Sequence, residues 1–149
     1  MPRRIREAGP GAALLDTHVW VWYEEGAEAR LPRAALAVLR RHVQAGQLYV
    51  SPLSAWEVAM LVAKRRLRLS LDVPSWVARA FEMPGLRAAP LTPAVGVDAA
   101  LLPGEAPHDP VDRLLIATAR ALGATLVTRD REILAYGAKG HVAVLDAAA

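Results

Sequence analysis

Apolar positions along the chain fall into two rhythms. Short, mostly apolar runs occur at Ala12-Ala13-Leu14-Leu15, Gln47 to Val50, Arg87 to Leu91, Ala124 to Val127 and Val142 to Leu145. Their length and density suit strands buried in a sheet. Between them, apolar residues recur every three or four positions. Examples are Ala35, Leu36, Leu39 and Val43 within Pro32 to Ala45, and Val111, Leu114, Leu115, Ala119 and Leu122 after Asp109-Pro110 and before Gly123. That spacing belongs to helices with one buried face, and a capping residue, an early proline and a closing glycine are their usual punctuation. Further helices are predicted over Thr17 to Glu25, from Ser51-Pro52 or Ser54 to about Arg66, and over Pro74 to Glu82. Others are predicted from Thr92-Pro93 through Leu101 and over Asp130 to Tyr136, while Leu67 to Val73 reads as an irregular link. Strands alternating with helices imply an α/β fold, a mainly parallel sheet of about five strands flanked by helices on both faces. Strand order is not legible at this level.

Length and composition narrow the picture. A chain of 149 residues, 54% hydrophobic and 22% charged, has the size and apolar content of one folded domain. We place that domain at 12–149, with 1–11 as a flexible arm carrying charge, Pro and Gly but no periodicity. The absence of cysteine excludes both a disulfide framework and a thiolate metal site. The basic start Met1-Pro2-Arg3-Arg4-Ile5-Arg6 is followed by no apolar segment of the kind a signal peptide needs. The longest apolar stretch, Ala55 to Ala63, is interrupted by Glu57 and is too short to span a membrane. A cytoplasmic protein is expected. The net charge of +3 permits a nucleic-acid partner without identifying one.

The acids are placed more informatively. Asp16 closes the first predicted strand, and Asp130 lies just past the fourth. Ligands of open parallel sheets bind at the carboxyl ends of strands. Asp109 and Asp112 stand at the start of the best-defined helix, where a cap and a favourable helix-dipole contact would account for them equally. Glu57 sits within Ala55-Trp56-Glu57-Val58-Ala59-Met60-Leu61-Val62, an apolar helical setting that carboxylates seldom occupy without a partner or a metal. The alternative for Glu57 is a solvated stripe shared with Lys64. Four more groups have open readings. His18 and His108 adjoin these acids and suit either substrate contact or hydrogen bonding at a helix start. Arg113 suits either a phosphate contact or an ion pair. Lys64, Arg65, Arg66 and Arg68 suit either a nucleic-acid backbone contact or a solvated face. Of Trp20, Trp22 and Tyr23, at least one is expected in the core and the others at an interface.

Taken together and in order, four segments resemble the motifs of PIN-domain proteins. They are Leu14-Leu15-Asp16-Thr17-His18, Ser54-Ala55-Trp56-Glu57-Val58-Ala59, His108-Asp109-Pro110-Val111-Asp112-Arg113-Leu114-Leu115-Ile116-Ala117 and Leu126-Val127-Thr128-Arg129-Asp130. More narrowly, they resemble the VapC ribonuclease toxins of bacterial toxin–antitoxin pairs. The similarity runs from about residue 12 to the C-terminus. Val111 and Thr118 depart from the usual pattern, where Phe and Gln are common.

The resemblance implies a PIN-like fold, divalent metal held by Asp16, Glu57 and Asp112, completion of the site by Asp130, and Thr128 as a nearby hydroxyl. It also implies an RNA substrate, a homodimer and a cognate antitoxin that blocks the site. Clustered carboxylates suit Mg²⁺ or Mn²⁺, which relieve their mutual repulsion. A catalytically weak RNA-binding or regulatory module on the same fold, and a metal-dependent DNA nuclease, are the alternatives.

Overall fold

A computed structural model describes residues 11–27 and 29–148. These form β1 (Ala13–Leu15), α1 (Thr17–Glu25), α2 (Arg33–Gln44), β2 (Leu48–Val50), α3 (Pro52–Ala63), α4 (Val73–Glu82), β3 (Leu86–Ala88), α5 (Pro93–Ala100), α6 (Pro110–Leu122), β4 (Thr125–Thr128), α7 (Arg131–Ala138) and β5 (Val144–Asp146). Of the expected arm, residues 1–10 lie outside the described residues.

All strand pairings are parallel, in the order β3-β2-β1-β4-β5. The chain steps outward from β1 to β3, then crosses back through α5 and α6 to lay β4 on the other side of β1. The order therefore reverses between β1 and β4, and a crevice opens there at the carboxyl ends of the strands.

Period-two alternation divides the core. Ala13, Leu15, Leu48, Val50 and Val127 face one layer, where α1 to α4 contribute Val19, Trp20, Ala35, Leu39, Val58, Trp76 and Ala80. Leu14 and Leu126 face the other, against Leu115, Ile116 and Ala119 of α6 and Ile133 and Tyr136 of α7. The sheet is thus sandwiched between two helical layers, as the alternating pattern predicts. Trp20 is the fully buried aromatic of α1, at 4.8 Å and 63° to Trp76, while Trp22 and Tyr23 are half-buried against the same layer.

Several predicted boundaries shift, two of them by three residues. Helix α3 stops at Ala63, three residues short of Arg66. Arg65 takes a left-handed φ of 60°, and the Arg66 and Arg65 amides donate back to Leu61 and Val62. This is a closing turn that glycine usually supplies, so no residue type marks it. The link that follows is tied down by Glu25, which accepts from the Ser70 amide and hydroxyl and from Trp76 Nε1. Strand β3 ends at Ala88 rather than Leu91, because Pro90 has no N–H to continue the ladder.

Gly85, entering β3, has φ +92°, and a Cβ there would run into the Val43 carbonyl oxygen. Gly85→Ala is expected to destabilise the fold by roughly 2 kcal/mol or more, combining left-handed strain with the clash. Urea denaturation measures this. Among the described residues, no helix is long and apolar enough to cross a membrane.

Candidate metal centre

The site is built from the ends of the two central strands. Asp16 follows β1 directly and caps α1, its Oδ1 accepting from the Thr17 amide at 2.7 Å. Its other oxygen, Oδ2, accepts from Thr128 Oγ1 at 2.6 Å. Thr128 is the last residue of β4 and fully buried, and the same hydroxyl oxygen accepts from the Asp130 amide at 2.9 Å. One side chain thus fixes the acid after β1 and the backbone leading into α7. Asp130 caps α7, its Oδ1 accepting from the Glu132 and Ile133 amides. Asp109 caps α6 in the same way, accepting from the Asp112 amide at 3.0 Å, which sets Asp112 in the first turn. Capping and site placement are therefore not alternatives here. The N-termini of α1, α6 and α7 carry these acids, and their dipoles offset part of the carboxylate repulsion.

Oxygens of Asp112, Asp130 and Glu132 lie within 4.8 Å of one another, close enough to share one ion. Burial, followed by the charges of Asp109, Asp16, Asp130 and Glu57, pushes the Asp112 carboxyl up to about 7. Burial also raises Asp16, against the opposing effects of the Thr128 and Thr17 hydrogen bonds and of His18, and Asp130 raises it further.

Glu57 reaches this neighbourhood from α3. It lies three residues after Ser54, on the same helix face, and buried Ser54 Oγ accepts from buried Thr17 Oγ1 at 3.0 Å. Glu57 is only half-buried, however, and its neighbour Trp56 is 56% exposed, so the segment is less enclosed than its apolar sequence suggests.

The donor set is all oxygen, its charges are mutually destabilising, and no ion pair neutralises it among the described residues, where Arg120–Asp98 is the one salt bridge. These residues fit a hard divalent cation.

The other predicted residues are placed as follows. His18 and His108 are exposed beside Asp16 and Asp109. Arg113 forms no ion pair among the described residues. It donates to the carbonyls of Ala99, Pro107 and Ala100, bracing the loop before α6. Lys64, Arg65, Arg66 and Arg68 are exposed at the far end of α3, the last three lining a surface hollow with Asp72, and stand outside the carboxylate cluster. Sequence reasoning missed Glu132 and the Thr17–Ser54 contact. Glu132, two residues after Asp130 in the first turn of a helix, carries a signal that a favourable dipole contact explains equally well.

Residues 13–139 match the PIN domain family model. Over 123 residues the chain is 36% identical to Ribonuclease VapC22 of Mycobacterium tuberculosis, covering 83% of this chain and 90% of that protein. The chain belongs to the PIN-domain family, in its VapC group. The fold is shared with VapBC from Salmonella typhimurium, a DNA-bound complex (TM-score 0.65, 15% identity, 93% of this chain and 99% of that one). It is shared also with FitAcB from Neisseria gonorrhoeae (TM-score 0.61, 21% identity, 91% of this chain and 97% of that one). The PIN fold accounts for the central β1–β4 crevice, and Asp16, Asp112 and Asp130 all stand on it.

Proposed function

We propose that this PIN-domain protein is a Mg²⁺- or Mn²⁺-dependent endoribonuclease and the toxin of a toxin–antitoxin pair, with Asp16, Glu57, Asp112 and Asp130 as its metal-site residues. The observation that carries this reading is the convergence of carboxylates at the β1–β4 switch point, with Asp112 held up to about 7 by burial and by its acidic neighbours. The 36% identity to a ribonuclease supports RNA as substrate. Complexes such as VapBC among the structural neighbours support a cognate antitoxin that covers the site. A homodimer working in the cytoplasm completes the reading.

The cation, when bound, supplies Lewis acidity, activating water for in-line attack on phosphorus and offsetting charge on the leaving oxygen. The protein supplies position. Thr128 fixes Asp16 and the Asp130 backbone relative to one another, and capping commits one oxygen of Asp130 to α7 while leaving the other for a ligand. Asp112, raised to about 7 by burial and by its acidic neighbours, would give up its proton near neutral pH to hold the ion. Hydrolysis breaks the bond to the 3′-oxygen and leaves 5′-phosphate and 3′-hydroxyl ends.

The test is cleavage of a mixed RNA pool by purified protein free of antitoxin, with Mg²⁺, with Mn²⁺ and with chelator. Cutting is expected only with metal, and Glu132→Gln should shift the Mg²⁺ requirement upward by about ten-fold. Folded protein that binds the pool but cuts it with neither metal would overturn the reading in favour of a binding module, and preferential cutting of DNA would favour a DNA nuclease.

A further inference from the structure

Beside the carboxylates lies a cavity of about 160 Å³ lined by Asp16, His18, Val19, Trp22, Arg129 and Asp130. Two of these are aromatic or heteroaromatic and one is a cation, which a metal centre alone does not call for. His18 and Trp22 are four residues apart on α1 and therefore neighbours on one helix face. Their rings lie 6.1 Å apart, inclined at 48°. The Arg129 guanidinium stands 5.5 Å from the centre of the Trp22 ring, with that of Arg30 at 5.8 Å.

Arg129 is the informative member. It sits in sequence between Thr128 and Asp130 and shares the cavity with two carboxylates, yet it forms no ion pair with either. Its contacts are the Trp22 ring and, at 3.4 Å, the Arg30 carbonyl. Cation–π attraction thus holds an exposed positive charge at the rim of an acidic site without neutralising that site.

We propose that His18, Trp22 and Arg129 form a subsite for one unpaired nucleotide of the RNA, flanking the phosphate that is cut; this rests on the ribonuclease reading given above. The base stacks against the His18–Trp22 pair, and Arg129 takes the adjoining phosphate. The division of labour follows from charge. Carboxylates with their cation attract one phosphate but repel its neighbours, so a polyanion needs a separate cation a short distance away. Unpaired bases are recognised by stacking on aromatic side chains and guanidinium planes, and this cavity offers both. The subsite governs affinity and the choice of base next to the cut, and the carboxylates govern the chemistry.

Binding of a fluorescein-labelled single-stranded oligoribonucleotide pool, followed by anisotropy in Mg²⁺, tests this. The full chain carries Asp112→Asn throughout, so that binding is read without cutting. Adding Trp22→Ala is expected to weaken binding by roughly ten-fold and Trp22→Phe much less. Arg129→Gln should weaken it several-fold and reduce the slope of log affinity against log salt by roughly 0.7. Trp22 packs partly on the core, so melting curves accompany that variant, and exposed Arg129 carries the test alone if Trp22→Ala fails to fold. Unchanged affinity and salt slope in Arg129→Gln, or no binding by the parent, would overturn the subsite and leave the cluster to a peptide partner. Cleavage by the unsubstituted chain is scored separately. If it shows none while the binding losses appear, the nuclease reading fails and the nucleotide subsite stands.

Discussion

Asp112→Asn is expected to lower metal-dependent RNA cleavage by more than about a hundred-fold while the protein stays folded. Loss of a group that merely supports a metal ligand commonly costs 10- to 100-fold in metal affinity or activity, roughly speaking, and Asp112 belongs to the one three-carboxylate cluster among the described residues. The same substitution has a stability signature of opposite sign. Because the Asp112 carboxyl is raised from 3.8 to about 7, the fold favours its protonated form. That contribution is complete below about pH 4 and is lost as pH rises through 7. Above pH 7 the metal-free parent holds an ionised carboxylate against burial and four acidic neighbours, and asparagine does not. Metal-free Asp112→Asn should therefore melt above the parent at pH 8, with the gap closing toward pH 4. Added Mg²⁺ should raise the parent's melting temperature more than the variant's, since only ligand bound to the native state stabilises it. Asp109→Asn is the matching control, because asparagine caps a helix nearly as well as aspartate. Scanning calorimetry at two pH values with and without Mg²⁺, beside a cleavage assay, reads all of this. Equal cleavage by Asp112→Asn and the parent would remove Asp112 from the metal site.

Thr128→Val should be damaging although it removes no carboxylate. The shape is nearly conserved, but the 2.6 Å hydrogen bond to Asp16 is lost and the Asp130 amide loses its 2.9 Å acceptor. The expected cost is about 1–3 kcal/mol of stability for the buried groups left unpaired. Cleavage should fall roughly 10- to 100-fold, because the acids on either side of the switch point are no longer held in register. Thr128→Ser restores the hydroxyl and should recover most of both. Mg²⁺ titration separates positioning from simple structural support. A Thr128→Val protein that is less stable but binds Mg²⁺ with the parent's affinity would assign the hydroxyl to the fold alone.

Much of this architecture can be read locally. Helix α6 announces both its ends, with Asp109-Pro110 opening it and Gly123 closing it at φ +61°, because caps act through neighbouring residues only. The end of α3 is silent, since Arg65 takes a left-handed turn that no residue preference signals. The burial of Glu57 was overstated by its apolar neighbours: a helix face is exposed or covered according to what packs on it, and Trp56 faces outward. Glu132 is not singled out by sequence, because an acid in the first turn of α7 has a sufficient local explanation in the helix dipole. Only the approach of the α6 N-terminus brings Asp112 within ion-sharing distance of it.

The sequence by itself determined the alternation of strand and helix, most of the caps, and the standing of Asp16, Asp112 and Asp130 at element boundaries. These depend on periodicity and on contacts within one turn of helix, which are written along the chain. Tertiary structure alone decided that β1 and β4 are neighbours, that the buried Thr128 hydroxyl reaches Asp16 across 112 residues of sequence while holding the Asp130 amide, and that Arg129 rests on Trp22 rather than on the acids beside it. Strand order and side-chain pairing arise from burying both faces of the sheet at once, a condition on the whole chain that no local segment can satisfy or reveal.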